Sequence, residues 1–132
     1  MAVKHDIDDE AQLITTTLSE NAIDSDLIDA LKHYFSEVKN QPQYEQYNEI
    51  IDLRKIKGIQ IDTNDIRELA QISATHDRSS SKTKLAIIAS SILAFGFAKI
   101  YEIARKLNAK NSKEVRVFKN KEDALSWISE AI

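Results

Sequence analysis

Five consecutive apolar residues, Leu85-Ala86-Ile87-Ile88-Ala89, run into Ser90 and Ser91 and then into a segment of helical period. A short strand that is apolar at every position needs cover on both faces, and a parallel sheet whose strands are joined by helices supplies it. The run therefore predicts an inner parallel strand. Ser90 and Ser91 offer caps for the helix that follows. Its predicted buried stripe is Leu93, Phe97, Ile100, Ala104 and Leu107, flanked by Ile103, with Lys99, Glu102 and Lys106 toward solvent. Glu102 and Lys106 then read as a solvent-facing i,i+4 pair.

The remaining segments fit the same plan. Val3, His5 and Ile7 alternate with polar neighbours, and Leu13 to Leu18 is a β-branched run with three threonines, so the two form a hairpin. Asp24 to Val38 places Leu27, Ile28, Ala30, Leu31, Tyr34, Phe35 and Val38 on one helical face, capped by Asp24 or Ser25. After a polar connection around Pro42, Tyr47 to Leu53 reads as a third strand ending near Asp52. Ile59 and Ile61 alternate briefly before Asp62 and Thr63, either of which can cap a helix with the face Ile66, Leu69, Ala70 and Ser73. Val115 to Phe118 alternates around Arg116, and Asn120 caps a last helix packing Ala124, Leu125, Trp127 and Ile128. The expected order is ββαβαβαβα over one domain, residues 1–132: a mixed, mostly parallel sheet with an antiparallel edge strand and about four helices.

Composition narrows function by exclusion. With 42% hydrophobic and 30% charged residues the chain has the make-up of an ordinary folded protein. Its net charge of −3 offers no general attraction for phosphate backbones, so no nucleic-acid partner is expected. Only two glycines, Gly58 and Gly96, are present, too few for a dinucleotide or Walker loop. Cysteine is absent, which removes disulfides and thiolate sites and suits a reducing compartment. The first ten residues carry four acids and lack a basic region followed by an apolar run, so no secretory signal is read there and a cytoplasmic location is expected. The apolar stretch Leu85 to Ala98 is shorter than the roughly 20 residues a bilayer crossing needs. His5, His33 and His76 lack metal-ligand spacing, and Asp6, Asp8 and Glu10 lack the glycine and distant glutamate of a calcium loop; neither metal nor cofactor is expected.

Several residues remain as site candidates. In open α/β sheets ligands settle beyond the carboxyl ends of the strands, near helix N-termini, and here that rim contains Asp52, Thr63, Ser90 and Ser91. The plainer account is that each serves its own helix. Phe95 falls about 200° from Leu93 around the helix, among the charged residues, so it should face outward. With Ile92 it forms a candidate apolar patch for a ligand, a membrane surface or a second subunit. Arg78, Lys82 and Lys84 surround Ser79, Ser80 and Ser81, a combination that can receive phosphate, although a solvated loop explains it as well. A hydrolase using Ser90 or Ser91 would need one of the histidines beside it, and the Gly-x-Ser-x-Gly elbow is missing.

Three stretches together resemble a known family: Ile51-Asp52-Leu53-Arg54 ending a strand; Leu85-Ala86-Ile87-Ile88-Ala89-Ser90 leading to Phe95-Gly96-Phe97-Ala98-Lys99-Ile100-Tyr101-Glu102; and Val115-Arg116-Val117-Phe118 before Ala124-Leu125-Ser126-Trp127-Ile128. The order of elements and these residues are similar to the anti-sigma-factor antagonist (STAS) fold, and more closely to the SpoIIAA-like family of small bacterial proteins. The resemblance implies a non-enzymatic domain. It also implies apolar or lipid-like ligands, peripheral contact with membranes, or partner switching by phosphorylation, with Thr63 after Asp62 as the phosphoacceptor position. The expected ligand site lies near the third helix, formed by Asp52, Thr63, Ser90, Ser91, Phe95 and Tyr101. The alternative is a protein-interaction regulator, in its simplest form a homodimer through Ile92 and Phe95.

Overall fold

The computed structural model describes residues 2–76, 82–107 and 113–130, and no side chain of residues 22–25. The Asp24 or Ser25 cap and the Arg78 to Ser81 part of the serine loop therefore lie outside the described residues. Five strands, β1 (Ala2–Asp8), β2 (Leu13–Ile23), β3 (Asn48–Gln60), β4 (Thr83–Ile88) and β5 (Lys113–Phe118), form one sheet in the spatial order β1-β2-β3-β4-β5. The first pair is antiparallel and the other three pairs are parallel. Among the described residues four α-helices accompany them: α1 (Asp24–Glu37), α2 (Thr63–Thr75), α3 (Ile92–Leu107) and α4 (Lys121–Ser129).

Because the parallel strands advance in one direction, the right-handed preference of crossovers puts α1, α2 and α3 on the same face of the sheet. Only α4, which follows the last strand, is left to cover the other. Two cores result. On the three-helix face Leu85, Ile87, Ala89 and Val115 pack against Ala94 and Ala98 of α3. On the opposite face Ile50, Ala86 and Ile88 pack against Ala124 and Trp127 of α4. Every residue of β4 is buried, as expected of an inner strand covered twice.

Expectations for β3, α3 and α4 need correction. The third strand does not end near Asp52: β3 continues to Gln60 because the extended end of β2 supplies a partner, with Ser19 opposite Lys55 and Ile23 opposite Gln60. β4 follows β3 only as far as Asp52, so the rest of β3 pairs with β2 alone. Register shifts in β2 bend this ribbon, and Glu20 takes a left-handed φ of 68° there. A Cβ at Gly58 would come within 2.8 Å of the Asn21 side-chain oxygen, so any larger residue there needs the exposed Asn21 side chain to turn aside.

The second correction concerns α3. Its buried residues are Ala94, Ala98, Glu102, Ala104 and Arg105, while Leu93, Ile103 and Leu107 are exposed. The face toward the sheet is rotated by roughly 110° from the apolar stripe, taking 100° per residue. Alanines at the contact let the helix backbone approach the strands closely, which the larger apolar residues would prevent. Phe95 turns inward with this face, half-buried against the β4–α3 core, and Lys119 Nζ sits 5.4 Å from its ring. Glu102 is no solvent-facing partner of Lys106; it is buried, with Lys99 Nζ at 2.8 Å and Lys106 Nζ at 3.9 Å. Leu125, expected in the α4 contact, is exposed.

Candidate functional site

At the carboxyl edge of the sheet Asp52, Asp62 and Ser91 are occupied locally. Asp52 holds Arg54 in a two-pronged contact, Nε to Oδ1 at 2.9 Å and Nη2 to Oδ2 at 2.7 Å. Burial alone would raise the Asp52 pKa, but the bonds from Arg54 hold it below the usual carboxylate range. Asp62, not Thr63, caps α2: its carboxylate accepts the Asp65 N–H at 2.9 Å, and the Asp65 carboxylate accepts the Asp62 N–H at 3.3 Å. Thr63 is exposed in the first turn. Ser91 Oγ accepts the Ala94 N–H at 3.1 Å and caps α3, with Ser90 exposed beside it. These four rim residues do not line the cavity described below.

That cavity, of about 230 Å³, lies between the sheet and helices α1, α2 and α3. Most of its wall is aliphatic. Leu53, Ile56, Ile59 and Ile61 come from the far half of β3 and its exit, Ile66 and Leu69 from α2, and Phe97 and Ala98 from α3. Of the six sequence-derived ligand candidates, Tyr101 alone is on the wall; Phe95 and the four rim residues are elsewhere. Tyr101 donates to Ser73 Oγ at 2.7 Å and receives Arg105 Nη1 at 3.1 Å, which lines up three polar side chains on the helical wall.

The charged end of the cavity is at the amino edge of the parallel strands. Glu49 stands near the start of β3, and Lys113 opens β5. Lys39 reaches in from the end of α1, held by the carbonyls of Tyr44 at 2.8 Å and Tyr47 at 3.4 Å. Both ammonium groups address one oxygen of Glu49: Lys113 in direct contact and Lys39 at 3.7 Å. The second oxygen accepts the Tyr34 hydroxyl at 2.6 Å. Burial pushes the Glu49 pKa up, but the two lysines and the Tyr34 bond outweigh it and hold the carboxyl at about 2. Burial, and then the Glu49 charge, drive the Tyr34 phenol far above its ordinary range, so it stays a donor. Burial lowers Lys39 despite the pull of Glu49.

Another buried cation marks the same edge on the opposite face. Lys84, placed by the sequence beside a phosphate-receiving loop, is buried and donates to the carbonyls of Trp127 and Glu130, each at 2.8 Å. It ties down the end of α4. His5 shares a hydrogen bond of 2.8 Å with Thr16, and His76 stacks on Phe35 with ring centroids 4.1 Å apart. Both rings line the cavity, whereas Ser90 and Ser91 do not. Burial, then the nearby His33, lowers the His5 pKa. Among the described residues no group of three or more His, Cys, Asp or Glu is placed to hold a metal ion. Among them, too, no helix is long and apolar enough to cross a membrane.

Sequence reasoning missed Glu49, Lys39, Lys113, Tyr34 and Arg105 as a group. One signal was present: Glu49 lies inside a segment expected to be a buried strand, and a carboxylate there demands a partner.

No family model matches the chain, and no curated protein does. Among solved structures it is similar to an uncharacterized protein of the DUF3478 family with a SpoIIAA-like fold from Shewanella loihica PV-4. The TM-score is 0.57 at 16% identity, covering 96% of this chain and 92% of that one. The five-stranded sheet with one antiparallel pair and four helices, together with this likeness, establishes that the chain has a SpoIIAA-like fold.

Proposed function

We propose that the protein is a non-catalytic module that binds a small apolar or lipid-like molecule in the cavity between the sheet and α1, α2 and α3. The observation that carries this reading is the aliphatic wall around about 230 Å³ of space. Dry cavities of 150 Å³ accept a benzene ring, so by proportion this one takes on the order of nine or ten heavy atoms. The polar rim at the carboxyl edge supports the reading by its unsuitability: Asp52 is engaged by Arg54, Ser91 caps its own helix, and Thr63 and Ser90 are exposed. Native and denaturing mass spectra of the purified protein test it. An apolar molecule present in the native spectrum and lost on denaturation is the expected result. A ligand-free chain that also fails to take up added 1-octanol would overturn it.

A second reading, a protein-interaction module working as a homodimer, is favoured by the outer face of α3. Ile92 is 95% exposed, Leu107 82%, and Leu93 and Ile103 55% each, all within about one-third of the helix circumference. Half-buried Phe95 is set apart from this stripe. Sedimentation of the wild type against an Ile92→Ser, Ile103→Ser double variant checks it: a dimer reduced to monomer supports the reading. A wild-type monomer, or one that only pellets with liposomes, rejects it.

A further inference from the structure

The outer edge of β1 is complementary to itself. We propose that it pairs with the β1 edge of a second copy of this chain, antiparallel and centred on His5, joining the two sheets into one. β1 ends the sheet, and among the described residues no strand lies beyond it, so one side of the Ala2–Asp8 backbone has no ladder partner. Such edges are commonly closed by a proline, a bulge or inward-pointing charge. β1 has no proline, and its register with β2 runs unbroken from Ala2 opposite Ser19 to Asp8 opposite Leu13. Lys4 and Asp6, on one face of the strand, keep 75% and 59% of their side-chain surface in solvent.

The order of the residues points to the occupant. Directly opposed residues of an antiparallel pair are either both bonded across it or both turned away, so β1 meets its copy only with residues of like parity opposite each other. Centred on Lys4, the pairing sets Lys4 against Lys4; centred on Asp6, it sets Asp6 against Asp6. Centred on His5, it sets Lys4 opposite Asp6 twice, Val3 opposite Ile7 twice and Ala2 opposite Asp8, and it uses the whole strand. Opposite charges and branched apolar pairs across strands stabilise a sheet, whereas like charges directly opposed destabilise it. Val3 and Ile7, exposed apolar side chains on the face that carries His5, each gain a neighbour. The two His5 rings meet at the axis, and burial lowers their pKa, so they are uncharged at neutral pH. An unrelated partner would carry this alternation only by coincidence; a second copy brings it by symmetry.

Sedimentation equilibrium of the full chain tests the proposal with two single variants, Lys4→Asp and Asp6→Lys. Both side chains are exposed, so neither change disturbs the fold. The wild type should dimerise. In each variant alone both cross-strand ion pairs become like-charge pairs, and the dimer should weaken about tenfold or more. Mixed in equal amounts, the two variants again set opposite charges across both pairs, and dimer should return. The double variant carrying both changes keeps the net charge and should dimerise as the wild type does. A dimer that survives both single variants but is lost with Ile92→Ser, Ile103→Ser would move the interface to α3 and overturn the proposal. So would a wild type still monomeric at about 1 mM, or weakening that neither mixing nor the double variant reverses. None of these outcomes bears on the cavity.

Discussion

The two edges of the sheet solve the same problem in opposite ways. At the carboxyl edge, polar side chains are met by near neighbours in sequence: Asp52 by Arg54, Asp62 by Asp65, Ser91 by the N–H of Ala94. At the amino edge, buried charges are met from far along the chain: Glu49 by Tyr34 and Lys113, 15 and 64 residues away, and Lys84 by the Trp127 carbonyl, 43 residues away. Local pairs tolerate loss because a neighbouring backbone group stays at hand: Asp52, its side chain only 10% exposed, also accepts the Arg54 N–H. Distant pairs out of water are stable only while complete, because each member left alone keeps its desolvation cost. The edge with the larger electrostatic stakes is also the one that opens on the cavity.

The contrast is broken most forcefully at Glu49. Glu49→Gln leaves two buried ammonium groups without their shared carboxylate and should lower unfolding free energy by about 3 kcal/mol, read from urea denaturation. A loss below about 1 kcal/mol would mean that the lysines find water or another partner. The pH dependence sharpens the same point. The folded carboxyl sits at about 2, below its unfolded value. Its contribution is therefore complete above the ordinary glutamate range near ~4.3 and is lost as pH falls through the folded value. Between about pH 5 and pH 2.5 the wild type should lose thermal stability more steeply than Glu49→Gln. Parallel acid limbs would remove Glu49 from the account.

Lys84→Met comes next. It deletes two bonds to the carbonyls that end α4 and should cost about 2 kcal/mol, with hydrogen exchange quickening first in α4. Uniform quickening across the sheet would contradict the local clamp. At the carboxyl edge the expected effects are smaller. Asp62→Ala removes the capping box of α2 and should cost about 1 kcal/mol in the same denaturation experiment. Arg54→Ala leaves the Asp52 carboxylate, 10% exposed, with the backbone N–H of residue 54 and should cost about 1 kcal/mol. If Arg54→Ala proved as costly as Glu49→Gln, the distinction between the edges would fail.

The same contrast explains what the sequence revealed. The order of elements, the inner strand at Leu85–Ala89, the antiparallel first strand and the caps at Ser91 and Asn120 all rest on local patterning, and each is present in the structure. The continuation of β3 past Asp52 was hidden because Arg54, Lys55 and Lys57 lack the alternation of a half-buried strand; their pairing depends on β2. The orientation of α3 departs from its apolar pattern because large apolar residues dominate that pattern, while Ala94 and Ala98 make the contact. The rim chosen for the ligand followed the habit of open α/β sheets. The cavity opens instead on three helices crowded onto one face, and its charges assemble only once β3, β5 and α1 are in place.

Methyl NMR of isoleucine- and leucine-labelled protein titrated with 1-octanol shows whether the space between the sheet and the three helices is a binding chamber. Binding there produces saturable shifts at Ile51, Ile59, Ile66 and Leu69, with Ile92, Ile103 and Leu107 unmoved. Shifts confined to those three exposed residues of α3, or changes that never saturate, would contradict it.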